Sequence, residues 1–145
     1  MDDLQELQNF KIADNVDRDW LLQHLVASVN DAKFDQNITL WTSTGVVSGV
    51  LIPARKYCDL YLEEFLKRFT PEAAAETEVF MKGDLLNRYY NEDDSDVGNI
   101  ALIHLLDARL CTPNGFVPTN EGVLWRGRLS QVTGFSLGTL LKRAE

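Results

Sequence analysis

Residues 38–52, ITLWTSTGVVSGVLI, decide the fold class, because they carry two successive β-strand patterns around a turn. Residues 37–43 alternate isoleucine, leucine and threonine with threonine, tryptophan and serine, a two-residue period that is typical of a strand. Thr44 and Gly45 then indicate a turn, and residues 46–52 are rich in β-branched side chains. The sequence therefore predicts a β-hairpin here.

Glycines within and between the predicted strands are interpreted as structural turns or bends: Gly45, Gly49, Gly127, Gly134 and Gly138. Gly49 lies inside the second strand, where a missing side chain permits a sharp bend or a close strand crossing. Strongly curved small barrels need such a bend, so the hairpin is expected to belong to one.

One helix is predicted before this hairpin and two after it. The apolar stripe of the first helix is formed by Leu22, Leu25, Val26 and Val29. Either Asp17 or Asp19 could cap its amino terminus. Pro53 suits the first turn of a second helix, and Thr70 followed by Pro71 predicts the start of a third.

The second half of the chain returns to the strand pattern. Residues 100–106 are almost wholly apolar and predict a central strand, and residues 123–129 and 134–140 are predicted to be the last two strands. Residues 112–122 hold two prolines, two glycines and two asparagines, so they are predicted to form a loop.

These elements predict one α+β domain, a small and strongly bent antiparallel β-barrel with an amino-terminal helix and a two-helix insertion. Its parts are a poorly ordered stretch 1–16, the helix in 17–36, barrel strands in 37–52 and 99–140, and the helical insertion with an acidic loop in 53–98. A domain of 145 residues buries roughly 68–70% of its unfolded surface, so it needs no disulfide or metal to fold.

The net charge of the chain is −8, and it is unevenly distributed. Residues 1–96 hold nine basic and nineteen acidic side chains, a net charge of −10, whereas residues 97–145 hold five and three, a net charge of +2. An acidic chain repels polyphosphate, which disfavours a general nucleic-acid binder. The dipolar distribution would let copies attract each other front to back at low salt, although a solvated acidic face is the simpler interpretation.

Membrane and secretory signals are not predicted. No apolar run of about 18 residues is present, so neither a membrane-spanning helix nor a membrane partner is expected. The first residues, MDDLQELQNF, are acidic and are not expected to form a signal peptide. Cys58 and Cys111 fit neither a disulfide framework nor a zinc motif, which favours reduced thiols in a cytoplasmic protein.

Catalytic and cofactor chemistry has little support in the sequence. His24 and His104 are the only candidate bases near neutral pH, and each lies in an apolar pattern that favours a structural role. Hydrolase elbows, zinc motifs and glycine-rich phosphate loops do not occur, so no catalytic residue, metal or cofactor is predicted. An acidic loop lacks the calcium-binding pattern and is either solvated or a partner contact; its side chains are Glu92, Asp93, Asp94 and Asp96.

The most distinctive segment is GVLWRGRLSQVTGFSLG, residues 122–138. In a strand, Trp125 would lie on one face, and Arg126 and Arg128 on the other. Tryptophan and arginine are enriched in binding hot spots, so these three side chains are candidate partner contacts. In the alternative interpretation, Trp125 belongs to the core and Arg126 pairs with a carboxylate. The carboxylates considered for that pairing are Asp107 and Glu121.

Three segments of the chain together resemble the gas vesicle accessory protein GvpU family: ITLWTSTGVVSGVLIPARKYCD (38–59), IHLLDARL (103–110) and GVLWRGRLSQVTGFSLG (122–138). The resemblance covers about residues 37–140, apart from the helical insertion around 60–97. It implies a non-enzymatic, cytoplasmic role in gas vesicle assembly, organisation or clustering. The partners that it implies are vesicle shell or accessory proteins.

A second and more distant resemblance concerns the fold. Trp125, Arg126 and Gly127 stand where Sm-like proteins have Ile-Arg-Gly, so the chain resembles an Sm-like, SH3-type barrel. Sm proteins form rings by pairing edge strands of neighbouring copies, and the resemblance therefore implies a homo-oligomer. The loop that holds RNA in Sm proteins is replaced by the helices around residues 57–90, so nucleic acid is an unlikely partner. An Sm-like RNA-binding or scaffold module is the alternative function.

The charge distribution adds a hypothesis about mechanism. The acidic part of one copy would meet the arginine-bearing last strands of another, and many such weak contacts would crosslink vesicles through avidity.

Overall fold

Three α-helices and a six-stranded antiparallel β-sheet make up the fold in the computed structural model, which describes residues 17–85, 87 and 97–140. The helices are α1 (Trp20–Ala32), α2 (Ala54–Leu66) and α3 (Pro71–Phe80). The strands are β1 (Gln36–Thr42), β2 (Gly45–Leu51), β3 (Leu102–Thr112), β4 (Gly115–Val117), β5 (Val123–Arg128) and β6 (Val132–Leu137). The stretch 1–16, which was predicted to be poorly ordered, lies outside the described residues. So does the acidic loop, which was predicted to be either solvated or a partner contact.

Helices α1 and α3 each begin at a residue whose side chain caps the helix amino terminus. Asp19 caps α1, because its Oδ1 accepts a hydrogen bond from the backbone N–H of Leu21 at 2.9 Å. Thr70 caps α3 by accepting from the N–H of Ala73 at 3.3 Å, and Pro71 occupies the first turn as predicted. After α3, a short π-helical turn covers Met81–Leu85.

The sheet has the strand order β4-β3-β2-β1-β6, with β5 also paired to β3. The predicted hairpin of β1 and β2 is present, with Thr39 opposite Ser48. Strand β3 is long enough to serve two partners, since its amino-terminal half pairs with β5 and its carboxyl-terminal end pairs with β4. The small strand β4 lies within residues 112–122, for which only a loop was predicted.

The sheet is open, and in this respect the prediction of a barrel is wrong. Closure requires hydrogen bonds between the two end strands, and the described parts of β5 and β6 do not pair with each other. A three-residue 3-10 turn, Leu129–Gln131, follows β5, and β6 then pairs with β1 at the far end of the sheet. The two end strands, β5 and β6, are therefore connected by a turn in the chain and not by hydrogen bonds between the strands.

The predicted bend at Gly49 coincides with a close approach of two strands. A Cβ added there would lie 3.0 Å from the Cα of Ala108 and 3.0 Å from the carbonyl oxygen of Leu106. The register between β2 and β3 shifts at this point, between Ser48 and Val50. A missing side chain lets the two backbones meet at the irregularity.

The two faces of the sheet carry different helices. One face forms the main core with α1, and its fully buried members are Leu22, Val29, Ile38, Leu40, Leu51, Ile103, Leu105 and Leu129. Side chains alternate along a strand, so His104 points away from this core. Helix α2 covers that opposite face, where the rings of Tyr57 and His104 have centroids 4.6 Å apart. A second apolar cluster, with Cys58, Leu62 and Met81, lies beneath α2 and the end of α3.

Candidate functional site

Trp125 lies on the core side of β5, where it is partly buried and packs against the main core. Its indole ring also occupies the space above Gly127 on the same face, so a Cβ at that position would collide with the ring. The indole ring therefore packs within the fold and does not project into solvent as a candidate partner contact.

Arg126 lies on the opposite face, directly across from His104 in the β3–β5 register. Burial raises the pKa values of Tyr57 and Cys58, and the positive charge of Arg126 offsets part of that rise. The pKa of His104 is lowered from 6.5 to about 4, mainly by burial and to a smaller extent by the charge of Arg126. Arg126 is thus an exposed residue whose charge acts on a tyrosine, a cysteine and a buried histidine on the face that α2 covers.

Asp107, one of the carboxylates considered as a partner for Arg126, is engaged elsewhere. Its Oδ2 pairs with the guanidinium of Arg109 at 3.1 Å, and its Oδ1 accepts a hydrogen bond from the N–H of Gly122 at 2.8 Å. Asp107 has a positive φ of 52° at the register shift between Leu105 and Ala108. These bonds fasten the start of β5 to the bulge in β3.

Arg128 is the exposed basic side chain at the end of β5. It lies across from Leu102 and makes no ion pair with any residue that the structure describes. The four predicted acidic contacts Glu92, Asp93, Asp94 and Asp96 fall outside the described residues. The described part of the site therefore consists of a core-facing tryptophan and two exposed arginines, of which Arg126 lies across from the buried His104.

A row of aromatic rings along α2 and just beyond its end was not singled out as a candidate site. Tyr57, Tyr61, Phe65 and Phe69 follow one another at four-residue spacing, with centroid separations of 6.2, 6.1 and 5.4 Å. Tyr61 is 40% exposed and Phe69 is 39% exposed. The four-residue spacing was visible in the sequence, but only the tertiary structure shows that the row stays partly open to solvent.

A groove of about 410 Å³ opens between α2 and the start of β5. It is lined by apolar side chains of α2, β3 and β5 and by two glutamates of α2; among these residues are Leu60, Glu63, Glu64, Leu106, Val123 and Leu124. No local sequence pattern indicates this groove, because its walls come from distant parts of the chain.

Across the described parts of the chain, no cluster of three or more histidine, cysteine, aspartate or glutamate side chains is arranged to hold a metal ion. Within the same parts, no helix combines the length and apolar character that crossing a membrane requires. The other predicted turn glycines are found at the β1–β2 turn (Gly45), opposite Trp41 in β6 (Gly134) and after the end of β6 (Gly138).

Comparison with known proteins gives one match. The family model described as "Gas vesicle protein GvpU-like" matches residues 19–140, from the cap of α1 to beyond the end of β6. No curated protein and no solved structure matches the chain significantly.

Proposed function

Since the chain belongs to the GvpU-like family of gas vesicle proteins, we propose that it acts as a non-enzymatic accessory protein in the cytoplasm, where it binds gas vesicle shell or accessory proteins and promotes their assembly or clustering. The observation that carries this proposal is the extent of the match, which spans residues 19–140 and thus every described helix and strand. A role related to gas vesicles follows from the family. The finer role is supported by the charge distribution of the chain and by the exposed edges of the sheet.

The first supporting feature is the division of charge along the chain. Arg128 and Arg126 stand on β5 within a segment of net positive charge, whereas residues 1–96 carry a net charge of −10 from nine basic and nineteen acidic side chains. A basic strand on one copy and an acidic surface on another attract each other over about 10 Å at moderate salt. Many weak contacts of this kind join particles through avidity.

The second supporting feature is the pair of sheet ends. Strand β6 pairs only with β1, and β5 pairs only with β3, among the strands that the structure describes. Exposed strand edges are templates for pairing with another chain. A homo-oligomer joined through β5 of one copy and β6 of the next is therefore part of the proposal.

The finer fold proposal is that this open sheet is an Sm-like or SH3-type sheet that carries a helical insertion. The strand path supports it: β1, β2, β3 and β5 form a meander, and β6 returns to β1 after the 3-10 turn Leu129–Gln131.

Co-flotation tests the proposed function. Isolated gas vesicles rise on gentle centrifugation, so a bound protein is recovered in the floating layer while free protein stays below. We expect the purified protein to float with vesicles at low salt and to be released at high salt. Recovery below the vesicles at every salt concentration would refute vesicle binding, and flotation that resists high salt would refute the charge-driven mechanism.

A matched pair of variants separates charge pattern from net charge. Arg126→Glu/Arg128→Glu alters the basic strand, whereas Arg55→Glu/Arg68→Glu makes the same change in net charge outside the sheet. We expect only the first pair to reduce flotation and clustering. An equal loss of flotation and clustering in both double variants would mean that net charge, and not the position of the arginines on β5, is responsible.

A further inference from the structure

The groove between α2 and β5 combines an apolar lining with negative charge. Leucine and valine side chains of α2, β3 and β5 line it, and Glu63 and Glu64 are the charged residues of its lining. Among the described residues that form the groove, none is a lysine or an arginine. The groove therefore suits an occupant that brings a positive charge together with an aliphatic chain, which is the chemistry of an arginine or lysine side chain.

The two glutamates of the groove differ in their surroundings. Glu64 pairs with Lys67 at 3.0 Å, one turn farther along the chain. Glu63 is exposed and makes no ion pair with any residue that the structure describes. An incoming cation can therefore pair with Glu63 without displacing a side chain that already holds it in an ion pair.

A matching cation lies on the same strand, at its other end. Trp125 faces the main core, so alternation along β5 places Leu124 and Arg128 together on the opposite side of the strand. Arg128 is exposed and makes no ion pair with any residue in the described part of the chain. It lies about 13 Å from Leu124 along an extended strand. The arginine and the groove of one chain are therefore well separated, and each is accessible to another copy.

We propose that Arg128 of one copy binds in the groove of a second copy, where its guanidinium pairs with Glu63 and its aliphatic stem packs on Leu60 and Leu124. This inference rests on the proposed function, because it identifies the acidic surface that the basic strand of another copy meets. An arginine stem packs on apolar surface while its charged head stays near water, so the side chain matches both the lining and the charge of the groove.

This contact is weak by itself and sensitive to salt. Glu63 and Arg128 are both exposed, and ion pairs between exposed groups contribute little and are screened as the salt concentration rises. Each copy carries both the arginine and the groove, so the same contact is repeated from copy to copy and gains strength through avidity. The contact uses side chains, and it leaves the hydrogen-bonding edge of β5 open to pairing with β6 of another copy.

Charge reversal in the groove tests the acidic half of the contact. Glu63→Lys should weaken self-association at low salt about fivefold, because it replaces the attraction of an exposed ion pair by repulsion. Sedimentation velocity over a range of protein concentrations measures the change. Glu76→Lys is the matched control, since it makes the same change in net charge at an exposed position of α3 outside the groove. The control should associate like the unaltered protein, and equal weakening in both variants would overturn the proposal.

A mixture of two variants tests the pairing itself. Arg128→Glu and Glu63→Lys should each self-associate weakly when alone, because each brings like charges together at the contact. Both positions are exposed, so both variants should keep the circular dichroism spectrum of the unaltered protein. An equal mixture should associate as strongly as the unaltered protein, because every contact between the two variants again joins a positive and a negative side chain. A mixture that associates no better than the separate variants contradicts the pairing.

These sedimentation experiments contain no vesicles, so their outcome is distinct from that of co-flotation. If the mixture fails to recover while the protein floats with vesicles, the contact between Arg128 and the groove is refuted and vesicle binding stands. If the mixture recovers while the protein stays below the vesicles, the contact between copies stands and vesicle binding is refuted.

Discussion

The indole ring of Trp125 lies over Gly127, two residues farther along β5, so the space that a Cβ would need at position 127 is already filled by the ring. The two residues share the core-facing side of the strand, and the ring packs against the main core at the same time. The glycine and the tryptophan of the Trp125-Arg126-Gly127 motif therefore form one structural unit, and the arginine between them faces the other way.

Gly127→Ala should destabilise the fold by about 1–3 kcal/mol, because the added methyl group displaces a packed indole ring. Urea unfolding followed by circular dichroism measures this loss. The matched control is Gly134→Ala, since a Cβ at Gly134 meets nothing within 4 Å. In a Trp125→Leu background the cost of Gly127→Ala should shrink, and an unchanged cost would contradict the proposed contact.

Asp19→Ala should lower the free energy of unfolding by about 1 kcal/mol, because it removes the acceptor for two backbone N–H groups at the start of α1. Asp17→Ala removes the same charge two residues earlier and should have little effect. Thermal unfolding of the two variants side by side provides the measurement. Equal destabilisation would assign the effect to charge rather than to capping.

His104 should make the fold less stable in mild acid. Its pKa falls from 6.5 to about 4 on folding, mainly through burial and then through the charge of Arg126. The unfolded chain therefore binds a proton that the folded chain does not, and stability is lost as the pH falls from 6.5 toward 4. The loss from this group is about 3 kcal/mol.

The measurement for His104 is urea unfolding between neutral pH and pH about 4, compared with His104→Gln. Carboxylates titrate in the same range in both proteins, so the difference between the two curves isolates the histidine. A difference that does not change with pH would show that the histidine is not buried in its neutral form.

Arg128→Glu should weaken self-association at low salt about fivefold, since an exposed charge contact contributes up to about 1 kcal/mol. Sedimentation velocity over a range of protein concentrations measures the change. Arg68→Glu, at an exposed position after α2, makes the same change in net charge and is the control. At about 1 M salt the Debye length is about 3 Å, and the variant should then match the unaltered protein.

Much of the local structure could be predicted from the sequence, because it depends on neighbouring residues. The hairpin of β1 and β2 follows from two-residue alternation around Thr44 and Gly45, and the start of α3 follows from Thr70 and Pro71. The sequence predicted that either Asp17 or Asp19 caps α1, and the hydrogen bonds in the structure show that Asp19 is the cap. Family membership likewise followed from short motifs, which the family match over residues 19–140 confirms.

The site was less predictable, because each candidate residue depends on what packs against its strand. Alternation placed Trp125 and Arg126 on opposite faces, but it did not say which face meets the core. It also did not reveal that α2 packs over His104, or that Asp107 would pair with Arg109.

The sequence by itself determined the family, the number and type of most elements, and the position of the hairpin, since these are encoded by local periodicity, caps and motifs. Only the tertiary structure decided that the sheet stays open, that the two arginines of β5 differ in their surroundings, and that α2 and β5 enclose a groove. These features arise from contacts between residues far apart in the chain. The free energy of such packing depends on which helix and sheet surfaces come into contact, and a local sequence pattern does not specify those contacts.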